Sequence, residues 1–162
     1  MIGTLAKLQP GVVLTALLLA GSTALAAADA GTAQGTLRPC PAAPHCVASD
    51  ATDASQHIKP LAIRGDPAAA WAALRAYLTT LPRVVLVNGD AGAGGATNAN
   101  YLHATATSAI LHFVDDFEFV LRADRGEIAM RSASRIGYYD FNVNRARLES
   151  VREVLRAKGV VE

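Results

Sequence analysis

The chain has 162 residues, with 15 Lys and Arg against 14 Asp and Glu, a net charge of +1 and only two cysteines. That balance excludes the strong positive field on which nonspecific nucleic-acid binding depends. The length suits one domain able to bury a sizeable core.

The first residues read as an export signal. Met1 to Pro10 carries one charge, Lys7, and Gly11 to Ala20 (GVVLTALLLA) is an apolar run of h-region length. Ala24-Leu25-Ala26 then offers small residues where a signal peptidase reads, with Ala26-Ala27-Ala28 as a second site. A membrane-spanning helix needs about 20 apolar residues, and this run dissolves into Ala, Gly and Thr well before that. The expectation is cleavage near Ala26, a periplasmic location and no stable membrane span. Loss of Lys7 leaves 14 basic and 14 acidic residues. Residues 27–38 (AADAGTAQGTLR) are small and polar without periodicity, which predicts a flexible tether ahead of a single domain over 39–162.

Cys40 and Cys46 open that domain in RPCPAAPHCVAS. In an oxidising compartment a pair this close forms a disulfide most simply, closing a small loop and contributing about 2 kcal/mol. A zinc site through Cys40, His45 and Cys46 lacks a second ligand cluster. His57 to Ile63 (HIKPLAI) predicts a short edge strand, because Pro60 cannot donate to a central ladder. Asp66-Pro67 reads as an N-cap followed by proline at the first helical position. Trp71, Leu74, Tyr77, Leu78 and Leu81 continue at helical spacing until Pro82. Arg83 to Val87 is a β-branched run closed by Asn88-Gly89-Asp90, and AGAGGATNAN after it is a loop. Its AGAGG lacks the Lys-Ser/Thr of a phosphate-binding loop.

Tyr101 to Thr107 alternates as a strand should. Asp116 to Ala123 and Glu127 to Arg135 flank Asp124-Arg125-Gly126 as a hairpin. Centring the turn on Arg125-Gly126 sets Phe117 opposite Ser134, Phe119 opposite Ser132, Leu121 opposite Met130 and Asp116 opposite Arg135. Val120 then faces Arg131, with Glu118 diagonal to both arginines. The apolar side of the hairpin should meet helices, and the other should carry the charges. Asp115 points away from Asp116 and Glu118, so the three cannot form one carboxylate cluster. A last helix begins at about Asn144 with Leu148, Val151 and Leu155 as its stripe and Gly159 as its stop. The order β-α-β-β-β-β-α predicts an α+β domain: an antiparallel sheet with both helices on one face.

Four blocks of this sequence together resemble the family of bacterial and plastid proteins filed as domain of unknown function 1499. They are PCPAAPHCVAS at 39–49, HIKPL at 57–61, FVDDFEF at 113–119 and RSASRIGYYDFNVNRARLE at 131–149. Tyr138-Tyr139 departs from the smaller or polar residues expected before Asp140, and His45 and Ala48 stand where Asn and Ser are usual. The resemblance implies an envelope location and one compact domain, and it implies no activity.

No nucleophile with a base, no metal set and no cofactor motif stands out. Ser132 and Ser134 fall on the apolar hairpin face, and His57, His103 and His112 read as structural or solvated. The candidate surface is Asp116, Glu118, Arg131, Arg135, Asp140, Asn144 and Arg145. Two readings of it are open. Arginine forks beside a helix N-terminus suit a small anion; alternatively Asp140 caps the helix and pairs with Arg135, and the charges form a structural network. The function expected is a periplasmic binding or accessory domain engaging an envelope protein or a small anionic ligand. The alternatives are an envelope hydrolase with Asp116 or Glu118 as general base and a structural subunit of an envelope complex.

Overall fold

The computed structural model describes residues 36–87 and 99–162. The expected signal, most of the tether and the glycine-rich loop lie outside the described residues. In chain order the elements are β1 (Cys46–Ala48), β2 (Leu61–Ala62), α1 (Pro67–Thr80), β3 (Val84–Leu86), β4 (Tyr101–Thr107), β5 (Val114–Arg122), β6 (Glu127–Ser134) and α2 (Val143–Ala157). All strand pairings are antiparallel, in the spatial order β1-β6-β5-β4-β3, with β2 sharing the outer edge of β6 beside β1. The expected α+β architecture is present, with one short strand more than expected. That strand, β1, has only three residues, too few to show a period.

The alternation of the central strands sorts the sheet into two faces. Leu102 and Ala104, Phe117 and Phe119, and Ile128 and Met130 point to one side, where they are buried. Both helices pack there. Ala70, Trp71, Leu74 and Leu78 come from α1, and Leu148, Val151 and Leu155 from α2. Each fully buried Leu or Phe contributes about 1.5–3 kcal/mol. Asp66 caps α1 by accepting from the Ala68 and Ala69 amides, with Pro67 next, and the helix stops before Pro82. Helix α2 ends in a Schellman motif: the Gly159 amide donates to Arg156 and the Val160 amide to Leu155, with Gly159 left-handed at φ 74°.

The hairpin register differs from the expected one by two residues. Phe117 lies opposite Ser132, Glu118 opposite Arg131, Asp116 opposite Ala133 and Phe119 opposite Met130. The cause is the turn, which is not a two-residue loop. Ala123–Arg125 form a 3-10 turn closed by Gly126 at φ 64°, and the ladder begins at Arg122–Glu127. An even slip keeps every side chain on its expected face. It therefore changes partners but not sides, and it sets Glu118 directly across from Arg131.

Candidate functional site

The charged face of the hairpin is not a solvated surface. Glu118 is fully buried and Asp116 and Arg131 nearly so. One reason is the segment leading into the disulfide. Leu37 is buried in a small cluster with Tyr101, Val120 and Ala129, and its amide donates to Asp50 at 3.2 Å. The next residue, Arg38, reaches Glu118 Oε1 through Nη2 at 3.2 Å. The Cys40–Cys46 disulfide, with Cα atoms 5.6 Å apart, joins this segment to β1 at the sheet edge. Leu37 and Arg38, read from sequence as the end of a tether, are thus part of the packed structure.

Every carboxylate of the face is occupied. Glu118 accepts from Arg131 Nη1 at 2.6 Å, from Arg38, and from the Tyr101 hydroxyl at 3.1 Å. Asp116 is gripped by Arg135 through Nε at 2.9 Å and Nη2 at 2.8 Å. It also accepts from His103 Nε2 at 2.7 Å, since an ionised carboxylate can only accept. Burial opposes the Asp116 charge, but the bonds from His103 and Arg135 outweigh it and hold the carboxyl well below the usual carboxylate range. A group so stabilised as an anion is a weak general base. Neither of two open surface depressions, of about 530 and 570 Å³, is lined by Asp116, Glu118 or Arg131.

A second network lies on the helix face, at the start of α2. The backbone there turns through two consecutive left-handed residues, Phe141 at φ 54° and Asn142 at φ 65°. Asp140 holds that turn: its carboxylate accepts from the Asn142 and Asn144 amides and from Asn144 Nδ2. Asp140 thus satisfies an amide of the first turn of α2, from two residues ahead of Asn142, which is the N-cap. Arg135 pairs with Asp116, which the expected hairpin also set against it, and not with Asp140, whose carboxylate is taken by the Asn142 and Asn144 amides. Asn144 is fully buried. Its Oδ1 accepts from Ser132 Oγ and Arg147, and its Nδ2 donates to Ser134 Oγ and the His45 carbonyl. Arg147 also pairs with Asp115 at 2.7 Å and lies over the Phe117 ring at 4.8 Å. Arg145 donates to the Ser55 and His57 carbonyls instead of facing a ligand. The space at this helix N-terminus that an anion would fill is filled by Asp140 itself.

The two networks grip the same two loops. Asp115 and Asp116 stand at the base of the β4–β5 loop, and Arg135, Asp140 and Asn144 hold both ends of the β6–α2 loop. The Arg135 amide donates to the Val114 carbonyl at 3.0 Å, so the loops emerge side by side from one end of the sheet. What they present is apolar. The β4–β5 loop exposes Ile110 (85%), Leu111 and Phe113. The β6–α2 loop exposes Ile136, Tyr138, Tyr139 and Phe141 (83%), and the first residue of α2, Val143, is exposed beside them. The Tyr139 and Phe141 rings meet edge-to-face at 5.1 Å. The sequence marks none of these residues as a candidate; Tyr138-Tyr139 alone stands out, as a departure from the expected pattern.

The family model described as Protein of unknown function (DUF1499) matches residues 36–155. No curated protein and no solved structure matches the chain.

Proposed function

The chain belongs to the DUF1499 family, and from that premise we propose that it is an exported binding or accessory domain that docks through the apolar end of its sheet. The observation that carries this is the cluster of exposed Ile, Leu, Phe and Tyr side chains on two loops held from below by ion pairs to the buried carboxylates Asp115 and Asp116. Isolated exposed apolar residues are ordinary, but a contiguous group of large ones marks an interaction surface. The Arg/Asp cluster then serves as the frame for this surface and not as the surface itself. No observation favours the hydrolase reading.

The test is subcellular fractionation of the full chain, produced in a Gram-negative host, against an I110S/L111S/F141S variant. The N-terminal sequence of the purified protein reads export, with a new terminus near Ala27 expected. Wild type should sediment with the envelope and the variant should be released with the soluble fraction. Identical distribution of the two would remove the docking assignment.

A further inference from the structure

The occupant of this apolar end can be argued from its shape, its charge and the rest of the chain. Its apolar groups sit on two neighbouring loop tips, which suits penetration into a soft interface better than burial in a matching groove. Tyr138 and Tyr139 carry a hydroxyl on an apolar ring, the chemistry enriched where bilayer meets water. The loop residues 108–113 contain no acid. The other loop has one, Asp140, and its carboxylate is turned onto the α2 amides. Cations remain at the rim. Arg83, exposed, joins the end of β4 through bonds with Thr107, and Arg135, although its charge is met by Asp116, keeps 42% of its side chain exposed. Apolar tips rimmed by arginine complement an anionic lipid surface.

With the apolar run 11–20 removed as part of the proposed export signal, the remaining undescribed segments are poor occupants by composition. Residues 88–98 (NGDAGAGGATN) have no large apolar side chain, and they join the structure next to Val87 and Ala99, at the opposite end of the sheet. Thr36, where the described N-terminal part begins, also lies at that opposite end, near Asp124 and Arg125 of the hairpin turn. The residues just before it are small and polar.

Resting on the docking reading above, we propose that the loop tips at 108–113 and 135–143 are a peripheral membrane anchor that inserts Ile110, Leu111 and Phe141 into an anionic bilayer surface. The experiment is flotation of the purified full chain with phosphatidylglycerol/phosphatidylethanolamine vesicles and with phosphatidylcholine vesicles. Light scattering on the same samples gives the oligomeric state. Expected results are binding to the anionic vesicles that is several-fold weaker on the neutral ones, and at least tenfold loss in I110S/L111S/F141S with an unchanged thermal midpoint. Val85→Ser removes an apolar group exposed to 62%, close to the 65% of Leu111, from an edge strand away from the loops and should bind as wild type. Equal binding by wild type and loop variant would assign the lipid contact to another part of the chain and overturn the proposal. So would a dimer that the loop variant dissociates. Absence of vesicle binding, with loop-dependent envelope association intact, would overturn the lipid occupant and leave the docking reading standing, its partner then a protein. Absence of both removes the two together.

Discussion

Glu118 provides the sharpest test of whether the buried charges are a frame. Its side chain is fully buried and holds Arg131 at 2.6 Å, Arg38 at 3.2 Å and the Tyr101 hydroxyl at 3.1 Å. Glu118→Gln preserves shape and removes the charge. Two guanidiniums, one almost wholly buried, are then left facing each other without a counter-ion. Breaking a buried pair in this way costs about 3–5 kcal/mol, a large part of the roughly 5–15 kcal/mol that separates folded from unfolded domains. Arg131→Met is milder, about 2–4 kcal/mol, because Glu118 retains Arg38 and Tyr101. Arg38→Gln removes a quarter-exposed partner and should cost about 1–2 kcal/mol. Urea unfolding followed by far-UV circular dichroism and by Trp71 fluorescence measures all three. With a slope of about 1–3 kcal/mol per M, the Glu118→Gln midpoint should fall by at least about 1 M. The double variant E118L/R131M should recover part of the loss, since the buried guanidinium leaves with the carboxylate and only the quarter-exposed Arg38 loses its partner. If Glu118→Gln does not fold, Arg38→Gln still reports on the network. A Glu118→Gln protein within about 0.5 kcal/mol of wild type would refute the reasoning, and Glu118 would then become a candidate for direct function.

The acid side of the stability profile should depend on Asp116. Its carboxyl ionises well below the unfolded value of about 3.9, so its contribution is complete above that value and is lost as pH falls toward the folded one. Arg135→Gln should therefore lower stability at pH 7, raise the pH of acid unfolding, and differ progressively less from wild type below about pH 4; a pH-independent difference would contradict the assignment. Replacing Cys40 and Cys46 by Ser should reduce stability by about 2 kcal/mol and raise amide exchange at Leu37, because the staple holding that segment is gone. Asn144→Ala, which removes its bonds to Ser132 and Ser134 of β6 and to the His45 carbonyl just ahead of β1, should cost about 2–3 kcal/mol in urea. Phe141→Gly relieves a left-handed φ that a bulky residue holds at about 1–2 kcal/mol. Offset by unfolded-chain entropy, its stability should match or slightly exceed wild type while envelope association weakens. A marked loss of stability would mean that Phe141 supports the fold instead of projecting from it.

Most of the architecture was legible because it rests on periodicity. The α1 stripe from Trp71 to Leu78, the α2 stripe from Leu148 to Leu155 and the two faces of β5 and β6 follow from spacings that only one geometry satisfies. The register was not legible. Arg125-Gly126 reads as a tight turn as readily as a 3-10 turn closed by Gly126, and the two differ by two residues without changing faces. The burial of the charged face was also hidden, since it depends on Leu37 and Arg38 crossing over strands 80 residues away in sequence. Two signals for it were present: Leu37 is the only large apolar residue between 27 and 38, and the disulfide places it against the sheet. Asp116, Glu118, Arg131 and Arg135 lie together on one side of the sheet and Asp140 and Asn144 in the network on the other, with Glu118 and Arg131 in the interior where a surface was expected; each candidate but one sits in one of these two networks. Arg145 was the exception, spent on the carbonyls of the β1–β2 connection.

The distribution of residues inverts the usual one in two places, and the two are linked. Buried charge and exposed large apolar side chains are the informative departures from hydrophobic-inside packing, and each carries a free-energy penalty in isolation. Here the buried charges sit at the roots of the loops that carry the exposed apolar groups. Asp115 and Asp116 fix the descent of one loop into β5, while Arg135 and Asn144 fix both ends of the other. An apolar core at those positions would pack as tightly, but it would orient the loop ends less strictly than bonds with defined directions do. The left-handed pair Phe141-Asn142, held by Asp140, turns one aromatic ring outward at a conformational cost that folding alone does not require. Charge on the inside therefore serves to aim apolar groups on the outside, which is the arrangement expected of a rigid domain that meets a surface with two loops.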